Sequence, residues 1–376
     1  MRQPTFQVLL GDAVEQLRQL PDNFIHCVVT SPPYWGLRDY EADGMLGLEQ
    51  TWDDFLEKLL NVFREVQRVL RPDGTGWCNM GDAYAQKGKS ATAQAADLNN
   101  AERVERLGYQ TKAFGRTRGW CKATGTKRGI NLDEKQLMMQ PARLAMALQD
   151  DGWYLRSEIV WRKSNACPSG IHDRPHVDSE RIYLITKTKV YFYDRFGWMR
   201  DGFKLARNTW DIPITPRSGH DHTATFPLEV PRRCILLGTS AEGCCAECGA
   251  PIYRQSEPTE EYASRLGKSF HDHKNDLKNG HSALGAKAIT GPTYQTVGWE
   301  PSCKCDAGTL PCRVLDPFSG SGTTGLAALG LGRDYYGCEI NPAYRDQSLL
   351  ELERKSLCLT EEDVEAGQLS LMEESA

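Results

Sequence analysis

Residues 316–324 read Asp316-Pro317-Phe318-Ser319-Gly320-Ser321-Gly322-Thr323-Thr324, a glycine loop between an apolar run and a helix-forming run. Glycines let the backbone come close to a ligand, and a helix N-terminus offers unpaired N–H groups to an anion. Glu339 follows about 20 residues on, the spacing at which an acid meets ribose hydroxyls in nucleotide-binding α/β units. The plainer alternative for the loop alone is a tight strand–helix turn. The spaced acid favours a ligand.

A second stretch, Thr30-Ser31-Pro32-Pro33-Tyr34-Trp35, ends an apolar β-branched run. Two prolines cannot continue a central strand, so the chain turns there. The carboxyl ends of such strands are where α/β sheets bind ligands. Ser31 supplies a hydroxyl acceptor, Pro32 a carbonyl oxygen and Tyr34 a flat face for stacking a base. The plainer alternative is a proline-stiffened turn carrying a surface aromatic.

The elements that must position these groups are legible in outline. Strands are expected at Thr5 to Leu10, Phe24 to Thr30, Thr75 to Met80, Arg313 to Asp316 and Tyr335 to Ile340, with a pair at Trp153 to Arg162 and Arg181 to Tyr193. Helices are expected from Gly11-Asp12 through Leu20, over Trp52 to Leu70 with Phe55, Leu59, Phe63 and Val66 on one face, near Glu134 to Gln149, after Pro227, over Thr323 to Leu331, and at the end of the ordered chain. Alternating strands and helices argue for a doubly wound α/β core with a mostly parallel sheet covered on both faces.

Together these motifs resemble the amino-methyltransferase family of S-adenosylmethionine-dependent DNA methyltransferases, in the order of its β group, with Ser-Pro-Pro-Tyr first and the glycine loop last. Gly11-Asp12, Arg68-Val69-Leu70-Arg71-Pro72-Asp73-Gly74, Gly152-Trp153 to Lys163 and Thr225-Phe226-Pro227 resemble further family segments. The resemblance implies a Rossmann-like methyltransferase core. It gives the methionine end of the cofactor to Asp316, Pro317, Phe318, Gly320, Ser321, Gly322, Thr323 and Thr324, and the ribose to Glu339. Asp12 would meet the adenine, with Phe226 and Pro227 flanking. Ser31, Pro32, Pro33 and Tyr34 become the catalytic motif, with Ser31 and the Pro32 carbonyl holding the target amino group and Tyr34 stacking on a flipped base. Ser in the first motif position favours cytosine N4 over adenine N6. C5-cytosine methylation needs a Pro-Cys nucleophile on the catalytic strand, and Pro311-Cys312 stands elsewhere. A nonenzymatic DNA-binding protein on the same core is the reading from another class.

Three further features complete the reading. Cys245-x-x-Cys248 and Cys303-x-Cys305 could close a structural four-thiolate zinc site in a ribbon-like insertion, with Cys244 and Cys312 as spares, against free thiols as the alternative. Lys112, Arg116, Arg118, Lys122, Lys127 and Arg128 lie in an acid-free stretch with Phe114 and Trp120, suited to double-stranded DNA or else a solvated loop. Arg195, Arg200, Arg207, Asn208, Arg217 and His220 occupy the expected target-recognition segment, and Trp161 and Lys163 are expected near the cleft.

The plan assigns 1–83 to the catalytic half of the core, 84–131 to a basic insertion, 132–194 to the hairpin region and 195–222 to target recognition. It assigns 223–239 to a cofactor-flanking helix, 240–312 to the cysteine-rich zinc module, 313–358 to the cofactor-binding half and 359–376 to an acidic tail. The 376 residues carry a formal net charge of −5, to which that tail contributes. No apolar run reaches the length of a membrane span and no signal pattern opens the chain, so a cytoplasmic, nucleoid-associated protein of bacterial or phage origin is expected. A homodimer and a partner restriction nuclease are left open.

Overall fold

The computed structural model describes residues 2–35, 44–85, 132–166, 171–197, 207–214, 226–263 and 294–358. In chain order the core contains β1 (Phe6–Leu10), α1 (Ala13–Leu17), β2 (Ile25–Thr30), α2 (Trp52–Val69), β3 (Leu70–Met80), α3 (Gln140–Asp150), β4 (Tyr154–Arg162), β5 (Ser179–Thr186), β6 (Thr209–Asp211) and α4 (Glu229–Gly238). There follow β7 (Cys244–Cys245), β8 (Ile252–Pro258), α5 (Glu260–Ala263), β9 (Tyr294–Pro301), β10 (Thr309–Leu310), β11 (Arg313–Asp316), α6 (Thr323–Gly330), β12 (Asp334–Glu339) and α7 (Pro342–Cys358).

One eight-stranded sheet runs β1-β12-β11-β2-β3-β5-β4-β6. Only β5 runs against the others. All six residues of β2 are buried, as a central strand covered on both faces requires. Its side chains alternate between two cores. Ile25 and Val28 pack with α1, α2 and α3, whereas Cys27 and Val29 pack with α4, α6 and α7. Thr51 caps α2 by accepting the Asp54 N–H at 3.1 Å. That helix then buries Trp52, Phe55, Leu59, Leu60, Val62, Phe63, Val66 and Val69.

Several boundaries differ from the sequence expectation. β3 begins at Leu70 and carries Pro72-Asp73-Gly74 inside it, because the β2–β3 register jumps between Ile25 and Cys27 and lets this N–H-poor segment bulge from the ladder. α3 starts at Gln140, not near Glu134, since Met139 sits in the left-handed region at φ 56° and Pro141 favours the first turn. β5 stops at Thr186, where the Thr186 hydroxyl bonds the Thr188 carbonyl and turns the chain before Tyr193. Residues 209–211, placed by the sequence in the target-recognition segment with no strand expected, join the sheet as β6 and bury Trp210.

The cysteine-bearing segment makes two small antiparallel ladders, β7 with β10 and β8 with β9. It sits against the start of the central strands. The Arg71 guanidinium donates to the Cys248 carbonyl at 2.9 Å, and His26, second in β2, meets the Gly249 carbonyl at 2.9 Å.

The α2 wall is testable. Phe63 is fully buried and its ring lies edge-on, 6.3 Å from that of Trp153. Phe63→Ala is expected to cost about 3–5 kcal/mol in urea denaturation, the usual range for a large core truncation. A loss below about 1 kcal/mol would mean that α2 does not wall this core.

Candidate active site

The carboxyl ends of β11 and β2 lie side by side, with Val314 opposite Cys27 and Leu315 opposite Val28. From there the chain departs both ways, from β11 through α6 to β12 and from β2 through α2 to β3. Such divergence opens a crevice at the carboxyl edge of the sheet. The crevice here has a volume of about 900 Å³ including its open mouth, within the range of small-molecule sites.

Asp316 ends β11 and is 2 % exposed. Its Oδ1 accepts from the Thr30 hydroxyl at 2.7 Å and the Phe318 N–H at 3.0 Å, and its Oδ2 from the Thr324 hydroxyl at 2.7 Å. One carboxyl group thus ties the end of β2, the glycine loop and the first turn of α6. Burial pushes it up to about 6 against the pull of these donors. Gly322 caps α6 at φ 76°, and a Cβ there would press on Ser348 at 3.0 Å, so the loop needs glycine twice over.

Glu339 closes the other wall. Its two oxygens accept the N–H groups of Gly320 and Asn341, each at 2.8 Å, and burial raises its pKa. The Gly11 N–H bonds the Glu339 carbonyl at 2.9 Å, which brings the β1 end alongside. Asp12 caps α1, accepting from the N–H groups of Val14 and Glu15 at 2.9 and 3.1 Å.

Most of the expected cofactor residues line this cleft: Asp12, Phe226, Asp316, Pro317, Phe318, Gly320, Ser321, Thr323 and Glu339, together with Ser31 and Pro33 of the other motif. Gly322, Thr324 and Pro227 are outside the lining, and Thr324 serves Asp316 instead. The sequence reading missed Met45, Leu46, Ile340 and Tyr344. Ile340 and Tyr344 follow Glu339 closely enough to have been proposed. Met45 and Leu46 carry no local signal.

Pro32 is buried, and the Tyr34 ring packs under Gly81, where a Cβ would come within 2.9 Å of the ring. The Tyr34 hydroxyl donates to Glu180 Oε2 at 2.8 Å, and burial together with this carboxylate holds the phenol well above its ordinary pKa. Asn79 Nδ2 reaches the same Glu180 oxygen at 2.8 Å, the Tyr34 oxygen at 3.2 Å and Ser31 Oγ at 3.4 Å. Lys163 Nζ pairs with Glu180 Oε1 at 2.5 Å. Lys163 therefore stands at the site as expected. Trp161 is a core side chain that donates to the Ile212 carbonyl and underlies the Lys163 ammonium at 5.1 Å. Asn79 and Glu180 were not anticipated, because strand ends give no spacing signal.

The thiols of Cys245, Cys248, Cys303 and Cys305 lie within 4.8 Å of one another. The spare candidates Cys244 and Cys312 form a separate buried cluster with His26. The His26 ring is already engaged on both nitrogens, with the Arg313 N–H at 3.0 Å and the Gly249 carbonyl at 2.9 Å, which leaves it no lone pair for a metal. Of the recognition candidates, Arg195 stacks on Phe196 and Tyr294 at the cysteine-rich end, away from the cleft. Asn208 holds the β4 edge through the Val160 N–H and the Glu158 carbonyl, and the Arg207 carbonyl accepts from the Trp210 indole. Arg200, Arg217, His220, and the basic set Lys112, Arg116, Arg118, Lys122, Lys127 and Arg128 with Phe114 and Trp120, lie outside the described residues.

Comparison with known proteins agrees with this geometry. The N6/N4 DNA methylase family matches residues 25–246 and 313–350, and the match breaks across the cysteine-bearing hairpin. The Type II methyltransferase M.Cfr9I of Citrobacter freundii is 33 % identical over 91 % of this chain and 86 % of its own length. M.XycI of Xanthomonas campestris pv. cyanopsidis is 35 % identical over 89 % and 83 %. Among solved structures, the PvuII DNA methyltransferase (cytosine-N4-specific) shares the fold with a TM-score of 0.52 at 17 % identity, covering 97 % of this chain and 94 % of that one. The chain therefore belongs to the N6/N4 DNA methylase family and is an amino DNA methyltransferase.

The Asp316 carboxyl makes stability pH-dependent. Its pKa rises from 3.8 to about 6 on folding, so the native state binds the extra proton between those values. The Asp316 contribution to the stability of the ligand-free protein is fully present below about pH 4 and is lost as pH rises through 6, on the order of 3 kcal/mol. Urea melts across this range should show that slope in the wild type, and Asp316→Asn should flatten it. An equal slope in the variant would move its origin elsewhere.

Proposed function

We propose that this protein transfers a methyl group from S-adenosylmethionine to the exocyclic amino group of a base in double-stranded DNA, with N4 of cytosine as the target. The observation that carries the reading is the bond between Thr30 and Asp316, which sets Ser31 at the rim of a cleft built from the glycine loop. The cleft fits the donor. Asp316 offers negative charge to the sulfonium and ammonium of the methionine end, Glu339 faces the ribose hydroxyls, and the α6 N-terminus suits a carboxylate. Bound there, S-adenosylmethionine supplies an electrophilic methyl group on sulfur.

An aryl amine is a poor nucleophile because its lone pair is delocalised into the ring. Ser31 Oγ and the Pro32 carbonyl accept its two hydrogens and favour a more tetrahedral nitrogen, whose lone pair can then be aimed at the methyl carbon. The Tyr34 ring stacks on the base, which must leave the duplex to reach this depth. The methylated ammonium is acidic and sheds its proton to solvent.

Ser31, with its short hydroxyl in the first motif position, supports cytosine over adenine. DNA access from the same edge is supported by the attachment points of residues 86–131 at Ala85 and Leu132, since the Ala83–Ala85 stretch pairs with Gln136–Met138 beside the cleft rim. The Type II relatives support a role as the modification partner of a restriction nuclease.

Nucleoside mass spectrometry of DNA methylated in vitro should show N4-methylcytosine. Tyr34→Ala should cut transfer at least about 100-fold with donor affinity retained, and Asp316→Ala should weaken donor binding at least about ten-fold. N6-methyladenine alone would overturn the base assignment, and full activity in both variants would overturn the site.

The four clustered thiols support a structural zinc. Zinc–sulfur bonds of about 2.3 Å put tetrahedral sulfurs roughly 3.8 Å apart, compatible with this cluster. The backbone N–H groups of Cys248 and Glu247 favour the Cys245 thiolate. Elemental analysis should give one zinc per chain, and Cys305→Ser should lose it and lower the melting temperature. Metal-free protein from chelator-free purification would contradict the site.

A further inference from the structure

A hydroxyl can donate or accept, yet an acceptor for an amino group must present a lone pair. What decides the matter for Ser31 lies one strand away. Glu180 is second in β5, at the catalytic edge, and its carboxylate can only accept. Its Oε1 takes the Lys163 ammonium at 2.5 Å, and its Oε2 takes the Tyr34 hydroxyl and Asn79 Nδ2, both at 2.8 Å. Tyr34 has one hydrogen, and Glu180 has it. The phenol oxygen therefore faces its remaining neighbours with lone pairs only. Those neighbours include Ser31 Oγ at 3.4 Å, on the donor side of the contact, Asn79 Nδ2 at 3.2 Å and the Gly81 backbone N–H. The direction of the chain runs from Ser31 to Tyr34 to Glu180 and is fixed at its far end by a group that has nothing to donate.

We propose that Glu180 is a positioning residue which, through the Tyr34 phenol, turns the Ser31 hydroxyl hydrogen away from the substrate and leaves an oxygen lone pair for the target amino group. Lys163 compensates its charge, so that a carboxylate can stand beside a neutral amine site without drawing a proton into it. The inference rests on the reading of Ser31 as acceptor. It also assigns Tyr34 two separable tasks: the ring stacks, and the hydroxyl relays direction. High phenol pKa is consistent with this, because the hydrogen must stay on Tyr34 for the relay to have a sense.

Four variants separate the possibilities in single-turnover methylation assays: Ser31→Ala, Glu180→Gln, Tyr34→Phe, and Glu180→Gln combined with Tyr34→Phe. Glutamine keeps the shape but can offer an N–H to the phenol, and phenylalanine keeps the stacking face but breaks the relay. Each single change is expected to slow transfer about ten-fold, the net worth of one hydrogen bond. DNA affinity, donor affinity and melting temperature should stay within about two-fold or a few degrees of wild type. The combined variant should be no slower than the slower single one, since both break one chain. Wild-type transfer in Glu180→Gln, with Ser31→Ala impaired, would overturn this inference alone. Losses that multiply in the combined variant, or that appear in DNA affinity or melting and not in transfer rate, would also overturn it. Full transfer by Ser31→Ala would overturn the underlying reading of Ser31.

Discussion

A single buried carboxylate joins the two halves of the site. Asp316 accepts from Thr30 on β2 and from Thr324 and Phe318 on its own side, so the strand that carries Ser31 and the loop that forms the cleft share one anchor. Neither motif could be aimed at the other by backbone pairing alone, because parallel strands fix register along their length but leave the chain free once it passes the last ladder bond. The tie acts beyond that point. Its cost is a carboxyl group in a dry interior, visible as the raised pKa, and the three donors reduce that cost without cancelling it.

The sheet order explains why the chemistry sits where it does. β11 and β2 are neighbours whose following helices leave in opposite directions, so only there does the carboxyl edge open. The cysteine module docks on the opposite edge, against His26 and Arg71 at the start of the same strands. His26 and Ser31 stand five positions apart, roughly 16 Å of extended chain. A metal at that edge can brace β2, β3 and β11 where they enter the sheet, but it cannot touch the reacting atoms.

Much of this was legible in the sequence because it depends on local chemistry. Pro32-Pro33 must end β2, Gly320 and Gly322 must form a turn with positive φ, and the period of Phe55, Leu59, Phe63 and Val66 must form a helix with one buried face. The zinc-like grouping of Cys245, Cys248, Cys303 and Cys305 was readable from ligand spacing. What escaped was settled by tertiary contact. β6 is three residues long and exists as a strand because Trp210 fills the core beside Trp77. β3 keeps Pro72-Asp73-Gly74 because β2 tolerates a bulge. Asn79 and Glu180 reach Tyr34 from strands 45 and 146 positions away, a separation at which no periodicity or spacing carries information.

The carboxylates of the site divide by what satisfies them. Among the described residues, the hydrogen-bond donors on Asp316 and Glu339 are neutral hydroxyls and backbone N–H groups. Such donors lower the cost of burial but leave the net negative charge in place, and a low-dielectric cleft with uncompensated charge attracts a cation. Glu180 is different, since Lys163 meets it directly and leaves the Tyr34 region close to neutral. On the proposed reaction the two sides of one crevice suit unlike guests, a positively charged methyl donor along the Asp316–Glu339 wall and an uncharged aryl amine at Ser31. On that proposal, charge compensation as well as shape sets which partner lies on which side of the transferred methyl group.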